Sequence, residues 1–327
     1  MKLAIVIVNW NGRDLLARCL RSIEATAGDL PHAVWVVDNG STDGAVEMVA
    51  RDFPAVHLIA SERNLGFAGG NNLALREVLN SQFRGQNLEG FGTSALSPLH
   101  SALDYVLLLN PDTVVQPGAL QALVRFMDEC PHVGAAGALL LNEDGSFQAS
   151  YVPFPTLRQE FLILSGLGRK HRGPAYPSAP LTASLRSRDD VDYVVGACII
   201  ARASAVCEVG LLDEGFFMYS EEVDWCYRFR AAGWAVGYVA EARIVHLGGG
   251  STRQVRPQML AELYRSRVRF FRKHYGPLAA LGLRALLLAM NGAKLLRQAV
   301  HPSPGGTPPL PWPLLRHAIG APHTVKN

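Results

Sequence analysis

The stretch Tyr105-Val106-Leu107-Leu108-Leu109-Asn110-Pro111-Asp112 constrains the chain more than any other. An unbroken apolar run of this length leaves no polar face, so it reads as a strand covered on both sides, the habit of sheets flanked by helices. Pro111 has no amide proton to give a ladder and biases Asn110 toward an extended conformation. The strand therefore stops there, and Asp112 falls in the turn just past its C-terminal end. Open α/β sheets bind their ligands at that edge. A carboxylate so placed can hold a divalent cation; the plainer alternative is that it shapes the turn, since Asp and Pro are ordinary turn residues.

Similar units precede it. Leu3 to Val8 is a short apolar run, Asn9 to Gly12 a turn, and Asp14 to Thr26 sets Leu15, Leu16, Cys19, Leu20 and Ile23 at helical spacing. Val34 to Val37 leads into Asp38-Asn39-Gly40-Ser41-Thr42-Asp43-Gly44, a turn rich in helix-starting residues, and then the helical segment Ala45 to Arg51. Val56 to Ala60 repeats the strand, and Asn64 to Asn72 repeats the turn. These units predict an α/β fold with a parallel, doubly wound sheet and one shared ligand edge.

Further on, Pro117 to Glu129 reads as a helix, and Val133 to Leu141 as a strand before the turn Asn142-Glu143-Asp144-Gly145. Tyr193 to Ala201 is another apolar run, and Val236 to His246 reads as strands. Arg84 to Ser101 breaks the pattern and reads as a surface loop. Tyr151 to Asp190, rich in Pro, Arg and Ser, carries no clear element.

Composition narrows the function classes. The 327 residues are 49% hydrophobic and 18% charged, which is globular, and a net charge of +3 gives no nucleic-acid signal. Five cysteines, Cys19, Cys130, Cys198, Cys207 and Cys226, include no C-x-x-C pair, so neither a zinc site nor a disulfide framework follows and a reducing compartment is the simpler reading. Leu3 to Val8 is too short for a secretory signal. Leu278 to Met290 is markedly apolar but carries Arg284, with Lys294 and Arg297 beyond, which is too short and too charged to span a bilayer comfortably. Residues 278–300 can lie on a membrane as an interfacial helix or pack on the body of the protein.

Chemistry-bearing residues gather at the strand ends. Trp10 follows the first strand, and Asp38 and Asn39 the second; a flat aromatic beside hydrogen-bonding groups suits a nucleobase. The first turn, Asn9-Trp10-Asn11-Gly12-Arg13, lacks the G-x-G-x-x-G of dinucleotide folds, which counts against a dehydrogenase. Ser41 and Asp43 fit helix caps, and Asp38 fits either role. The third turn offers Arg63, Asn64, Gly66, Asn71 and Asn72 beside glycines that let a backbone approach a ribose or phosphate closely. In the second half, Asp213 to Trp225 crowds acids against Phe216, Phe217, Met218 and Tyr219, with Ser220 as a candidate N-cap and Glu221, Glu222 and Asp224 in the first helical turn. Acids there complement the helix dipole, yet three in four residues beside an apolar wall also favour a raised pKa and a general base. His246 ends a strand ahead of a glycine loop, as a structural imidazole or a metal ligand.

Taken in order, Ile5 to Asn11, Val36 to Gly44, Asn64 to Asn72, Leu108 to Asp112, Gly210 to Trp225 and Val245-His246 resemble the family-2 glycosyltransferases with the GT-A fold, in particular the rhamnosyltransferase-like branch. The resemblance spans about residues 3–252. It implies a Rossmann-like, mixed but mostly parallel central sheet flanked by helices, with a C-terminal helical extension. Residues 1–115 would form the nucleotide-sugar half, 116–252 the acceptor-binding and catalytic half, and 253–327 the extension with its Pro-rich tail.

The implied reaction is inverting transfer of a sugar from a nucleoside diphosphate, dTDP-rhamnose favoured, to a hydroxyl of a glycan or lipid-linked acceptor in surface polysaccharide synthesis. The expected location is the cytoplasm, at the inner face of the plasma membrane. By position, Trp10, Asp38 and Asn39 would hold base and ribose, and Asp112 would bind Mg²⁺ or Mn²⁺ with help from His246. Asn110 stands where the family's D-x-D has its first acid. Glu222 falls on the base, one methylene longer than the family's Asp, with Asp224 in reserve. A non-catalytic nucleotide- or carbohydrate-binding module and a nucleotidyltransferase are the competing classes; the Glu-Glu-x-Asp cluster speaks against the first, and the second would release pyrophosphate.

Overall fold

The structure, a computed structural model, describes residues 1–82, 103–173, 176–178, 185–248, 256–300 and 310–320. The loop expected over 84–101, the glycine loop after Gly248 and most of the Pro-rich tail lie outside those residues.

The first units form as the spacing predicts: β1 (Leu3–Asn9), α1 (Arg13–Thr26), β2 (His32–Asp38), α2 (Ala45–Asp52) and β3 (His57–Ala60). The run at 105 is β4 (Tyr105–Leu109), and β5 (Thr113–Val115) follows Asp112 at once. Then come α4 (Ala119–Glu129), β6 (Val133–Leu141), β7 (Tyr151–Val152), α5 (Leu157–Leu164), α6 (Leu167–Arg172), β8 (Tyr193–Val194), β9 (Cys198–Arg202) and α7 (Ala203–Val209). The acidic cluster opens α8 (Glu221–Ala231), and β10 (Ala235–His246) is one long strand with a register irregularity between Val239 and Arg243.

Eight strands form one sheet in the order β3-β2-β1-β4-β9-β6-β10-β5. β1 pairs in parallel with both β2 and β4, β2 with β3, and β6 with β10, whereas β9 and β5 run antiparallel to their neighbours. The sheet is therefore mixed and mostly parallel. The strand order reverses between β1 and β4, and the turns carrying Trp10 and Asp112 flank that switch point, where such sheets leave a crevice.

Both faces of the sheet are covered, which is why its central strands carry no alternation. Val6, Val37, Val106 and Leu108 pack on one side with Leu75 and Val78, and the same core continues through Trp225, Phe229, Phe270 and Phe271. Ile5, Ile7, Leu107 and Leu109 pack on the other with Leu16, Leu20, Met48, Leu120 and Leu123. Burying each such side chain stabilises the fold by roughly 1.5–3 kcal/mol.

One expectation fails instructively. Residues 66–72 are not loop but the first turns of α3 (Gly66–Gln82). Glycine is needed there for close packing: a Cβ on Gly70 would sit 2.7 Å from Cγ1 of Val8, so the bare backbone lets α3 lie against β1. The run 193–201 likewise divides, because β8 pairs with β7 in a separate two-stranded sheet while β9 inserts between β4 and β6. Three helices close the described chain: α9 (Arg256–Tyr275), α10 (Pro277–Val300) and α11 (Trp312–Ile319). α9 enters the core through Phe270 and Phe271, while α10 buries only Ala280, Leu283 and Leu287 and leaves Leu278, Leu281 and Leu288 exposed.

Candidate active site

A cavity of about 500 Å³ opens at the switch point. Its walls come from the whole length of the sheet: Val8 and Trp10 after β1, Asn39 after β2, Asn64, Gly66 and Phe67 at the start of α3, and Asn110, Pro111 and Asp112 after β4. Opposite parts of the sequence supply Val195 to Ala197, Phe217 to Tyr219, Glu221, Glu222, His246 and, from α9, Gln258 and Met259. That volume is of the size that takes a drug-sized or nucleotide-sized ligand.

The wall formed by Asn39, Asn64 and the start of α3 is held by amides. Asn39 Oδ1 accepts from the Leu65 backbone N–H at 2.9 Å, and Asn39 Nδ2 donates to Asn64 Oδ1 and to the Gly66 carbonyl, each at 3.0 Å. Asn64 Oδ1 also accepts the Gly66 N–H at 2.8 Å and so starts α3. At Gly66 the backbone is left-handed, φ +74°, and a Cβ there would meet the Phe217 carbonyl at 2.1 Å. The next residue, Phe67, donates its N–H to that same carbonyl at 2.7 Å. One backbone bond thus joins this wall to the acidic loop.

Asp112 and His246 meet at the floor. Asp112 is 9% exposed, and its Oδ1 lies 3.4 Å from His246 Nε2, with Asn110 Nδ2 3.5 Å from the same nitrogen. The imidazole is oriented from behind by Gln148. Gln148 Nε2 donates to Asn142 Oδ1 at 2.8 Å and to the His246 carbonyl at 3.0 Å, which fixes the amide and leaves Gln148 Oε1 as the acceptor, 2.7 Å from His246 Nδ1. Nδ1 therefore carries a proton that it donates to Gln148, and Nε2 is the nitrogen that faces Asp112. Two donors 3.4 Å apart are spaced as neighbours in the shell of one cation about 2.1 Å from each. The pair fits a divalent ion, with a neutral imidazole and a carboxylate as ligands; among the described residues no third His, Cys, Asp or Glu joins them.

The acids at the start of α8 arrive by a strained entry. Tyr219 and Ser220 both adopt left-handed backbone, φ +68° and +65°, which is costly for residues with side chains and is found where a site over-determines the geometry. Ser220 makes no side-chain cap, contrary to the expectation from its position. The turn carries Glu221 and Glu222 into the cavity wall. Burial, joined by the neighbouring charge of Glu222, pushes the Glu221 carboxyl well above the usual range. Burial also raises Glu222, opposed by backbone N–H groups and the Arg267 guanidinium. Oε2 of each is buried and finds no hydrogen-bond partner among the described residues. Arg267 is itself held 3.1 Å from Glu160 of α5.

Of the residues singled out from sequence, Trp10, Asn39, Asn64, Gly66, Asn110, Asp112, Glu222 and His246 share this cavity. Four do not line it. Asp38 is buried beneath the second turn, accepting from Asn9 Nδ2 and the Ser41 N–H. Arg63 projects to solvent. Asn71 is inside α3, donating to the Phe67 carbonyl at 2.9 Å. Asp224 is fully buried on the other face of α8, with Arg228 Nε at 2.9 Å, Lys273 Nζ at 2.6 Å and His274 Nε2 at 2.8 Å. Burial would raise its pKa, but the His274 hydrogen bond and the Arg228 and Lys273 charges outweigh that and hold it at about 2. A carboxylate so caged is a strut, so Arg228, Lys273 and His274 together remove the reserve base of the sequence reading from the cavity. Sequence reasoning missed Gln148, which sits in no recognisable pattern, and passed over Glu221, which stood in plain view beside Glu222.

The arrangement is that of a GT-A glycosyltransferase, and solved structures share its fold. A mannosyltransferase from Pyrobaculum calidifontis superimposes with a TM-score of 0.50 at 16% identity, over 97% of this chain and 84% of that one. GalNAc-T7 does so with a TM-score of 0.52 at 14% identity, over 89% and 54%. Residues 2–272 match the sequence model of the family described as glycosyltransferase like family 2, and the chain belongs to that family. An N-acetylglucosaminyl-diphospho-decaprenol L-rhamnosyltransferase of Mycobacterium tuberculosis is 31% identical over 270 residues, 81% of this chain and 82% of its own length. The rhamnosyltransferase WbbL of Escherichia coli is 25% identical over 244 residues, 74% and 82%. The protein is a hexosyl-transferring enzyme of glycan synthesis.

Proposed function

We propose that the enzyme transfers rhamnose from dTDP-rhamnose, with inversion, to a hydroxyl of a lipid-linked glycan acceptor at the cytoplasmic face of the membrane. The support for the sugar and the acceptor is the pair of rhamnosyltransferase relatives, one of them named for a decaprenol-linked substrate. In this reading residues 1–115 hold the donor nucleotide, 116–252 supply the catalytic wall and most acceptor contacts, and the C-terminal helices brace the site.

The observation that carries the chemistry is that Glu222 and Asp112 line one cavity, with Glu222 Oε2 buried and lacking a hydrogen-bond donor among the described residues. Trp10 offers the stacking face for the base, with Asn39 and Asn64 shaping the loop around it. Asp112 and His246, assisted by Asn110, would hold Mg²⁺ or Mn²⁺, which supplies positive charge for the departing diphosphate. Glu222 takes the proton of the acceptor hydroxyl as its oxygen bonds to the anomeric carbon. The bond from that carbon to the diphosphate oxygen breaks on the far side, and the nucleoside diphosphate leaves with the bonding pair. Burial raises both carboxyls, and the charge of Glu222 raises Glu221 further, which disfavours full ionisation of the pair.

The test is a donor screen with the purified enzyme and a polyprenyl-diphosphate sugar acceptor, reading nucleoside diphosphate release. Faster turnover of dTDP-rhamnose than of UDP- or GDP-sugars supports the assignment, and preference for another donor overturns it.

A further inference from the structure

Charge is divided unevenly along the chain. No Asp or Glu follows Glu262, whereas ten Lys and Arg do, so residues 263–327 carry a formal +10 and residues 1–262 carry −7. Four of the ten are answered by acids nearby: Arg265 by Glu262, Arg267 by Glu160, Arg269 by Asp213 and Lys273 by Asp213 and Asp224. Among the described residues, Arg272, Arg284, Lys294, Arg297 and Arg316 form no ion pair. Their charge faces outward or sits beside the last helices.

The surface of α10 is apolar where it is exposed. Leu278, Leu281, Ala285, Leu288, Gly292 and Leu295 recur at intervals of three and four residues and so share one face of the helix. Leu278 is 81% exposed and Leu281 59%, with Leu288 at 40% and Leu295 at 51%. The opposite side, through Ala280, Leu283 and Leu287, is buried on the protein, and Asn291 ties the helix to Leu310 by two hydrogen bonds. Pro277–Gln298 is long and apolar enough to cross a membrane, but its first half packs on the body through Ala280, Leu283 and Leu287, Asn291 ties it to Leu310, and it carries three cations, which together place it to lie on a bilayer.

The neighbouring helices extend the same surface. α5 packs against α10, with Leu157 beside Gly282 and Phe161 43% exposed. α6 then presents Arg169, Lys170, His171 and Arg172, all exposed. Across α5, α6 and α10 the sole acid is Glu160, and it is buried against Arg267. An exposed apolar stripe on a group of helices whose exposed charges are all basic, with no exposed acid to repel phosphate, is complementary to an anionic lipid surface and poorly matched to a second copy of itself, whose basic residues would face its own.

We propose that α10, flanked by α5 and α6, seats the enzyme on an anionic phospholipid bilayer, its leucine stripe among the upper acyl chains and its Arg and Lys side chains at the headgroup phosphates. Flotation of the full-length protein with vesicles of phosphatidylcholine, with or without phosphatidylglycerol, tests this. The protein floats with the phosphatidylglycerol vesicles, less so as salt rises, and little with phosphatidylcholine alone. Leu281→Glu with Leu288→Glu, and separately Lys294→Glu with Arg297→Glu, each weaken binding on the order of tenfold or more. Both pairs leave the melting temperature and nucleoside diphosphate release in solution unchanged, which keeps a failure to dock distinct from a failure of the sugar-transfer reading. Equal binding to neutral vesicles, absence of binding, or a leucine variant that floats as the parent does would overturn the proposal. So would a dimer by light scattering that the leucine variant abolishes, which would assign the face to a second chain.

Discussion

Gln148 Oε1 accepts the Nδ1 proton of His246 at 2.7 Å, and that bond decides which imidazole nitrogen faces Asp112. Gln148 would not be placed by its neighbours in sequence; the turn after β6 brings it to His246 at the end of β10 because those strands lie side by side. Replacing Gln148 by Leu removes the orienting acceptor. Mn²⁺ affinity, measured by calorimetry on the protein without donor, should fall roughly 10- to 100-fold, the usual effect of losing such a support. Gln148→Glu keeps an acceptor and should restore most of it; undiminished affinity in the Leu variant would show that the imidazole needs no such support.

Glu222→Gln should reduce transfer on the order of a hundredfold or more while nucleotide binding survives, because the amide keeps the shape but takes no proton. Asp112→Ala should instead weaken donor binding in the presence of Mn²⁺. Turnover rates beside equilibrium binding of the nucleoside diphosphate separate the two, and parental turnover in Glu222→Gln would remove that residue from the base role.

Because burial raises the Glu222 pKa above its ordinary 4.5, the rate should climb with pH on a limb displaced to the alkaline side of ordinary carboxylates. Glu221, raised further, favours the folded state in its protonated form, so its contribution to stability is greatest below pH 4.5 and fades as pH rises through the folded pKa. A rate profile already flat by the ordinary carboxylate range would contradict this assignment.

Asp224 runs the opposite way. Its pKa is held at about 2 against an ordinary 3.8, so it contributes stability of about 2 kcal/mol above pH 3.8 that is lost as pH falls toward 2. Asp224→Asn leaves Arg228, Lys273 and His274 facing a neutral group and should destabilise by roughly 3–5 kcal/mol. Chemical denaturation would read the loss, and an unchanged midpoint would mean that Arg228, Lys273 and His274 find other partners.

Gly66→Ala should be severe for its size. The added methyl would overlap the Phe217 carbonyl at a φ that L-residues resist, so a loss of about 1–3 kcal/mol from backbone strain is a lower bound. Thermal unfolding and nucleotide affinity should both decline together, since the same contact forms part of the cavity wall.

Strands and helices of the first half were legible because burial on both faces erases alternation in β1, β2 and β4, while amphipathic spacing survives in α1 and α4. What misled was glycine. Gly66, Gly69 and Gly70 look like loop in one dimension, yet they let a helix approach β1 and Leu65 closely, a requirement that only the fold reveals. Asp38 and Asp224 show the matching limit for the site: an acid beside a strand end or in a helical first turn looks functional until its partners, Asn9 and Ser41 for one and Lys273 and His274 for the other, come from distant segments.

The cavity's walls begin at Val8 and finish at Met259. During vectorial synthesis the part of the wall made by Gln258 and Met259 arrives only when α9 has left the ribosome, well after the first three β-α units have emerged. Those units must hold on their own packing, and any truncation ahead of α9 yields a sheet with a hole where its substrate should be.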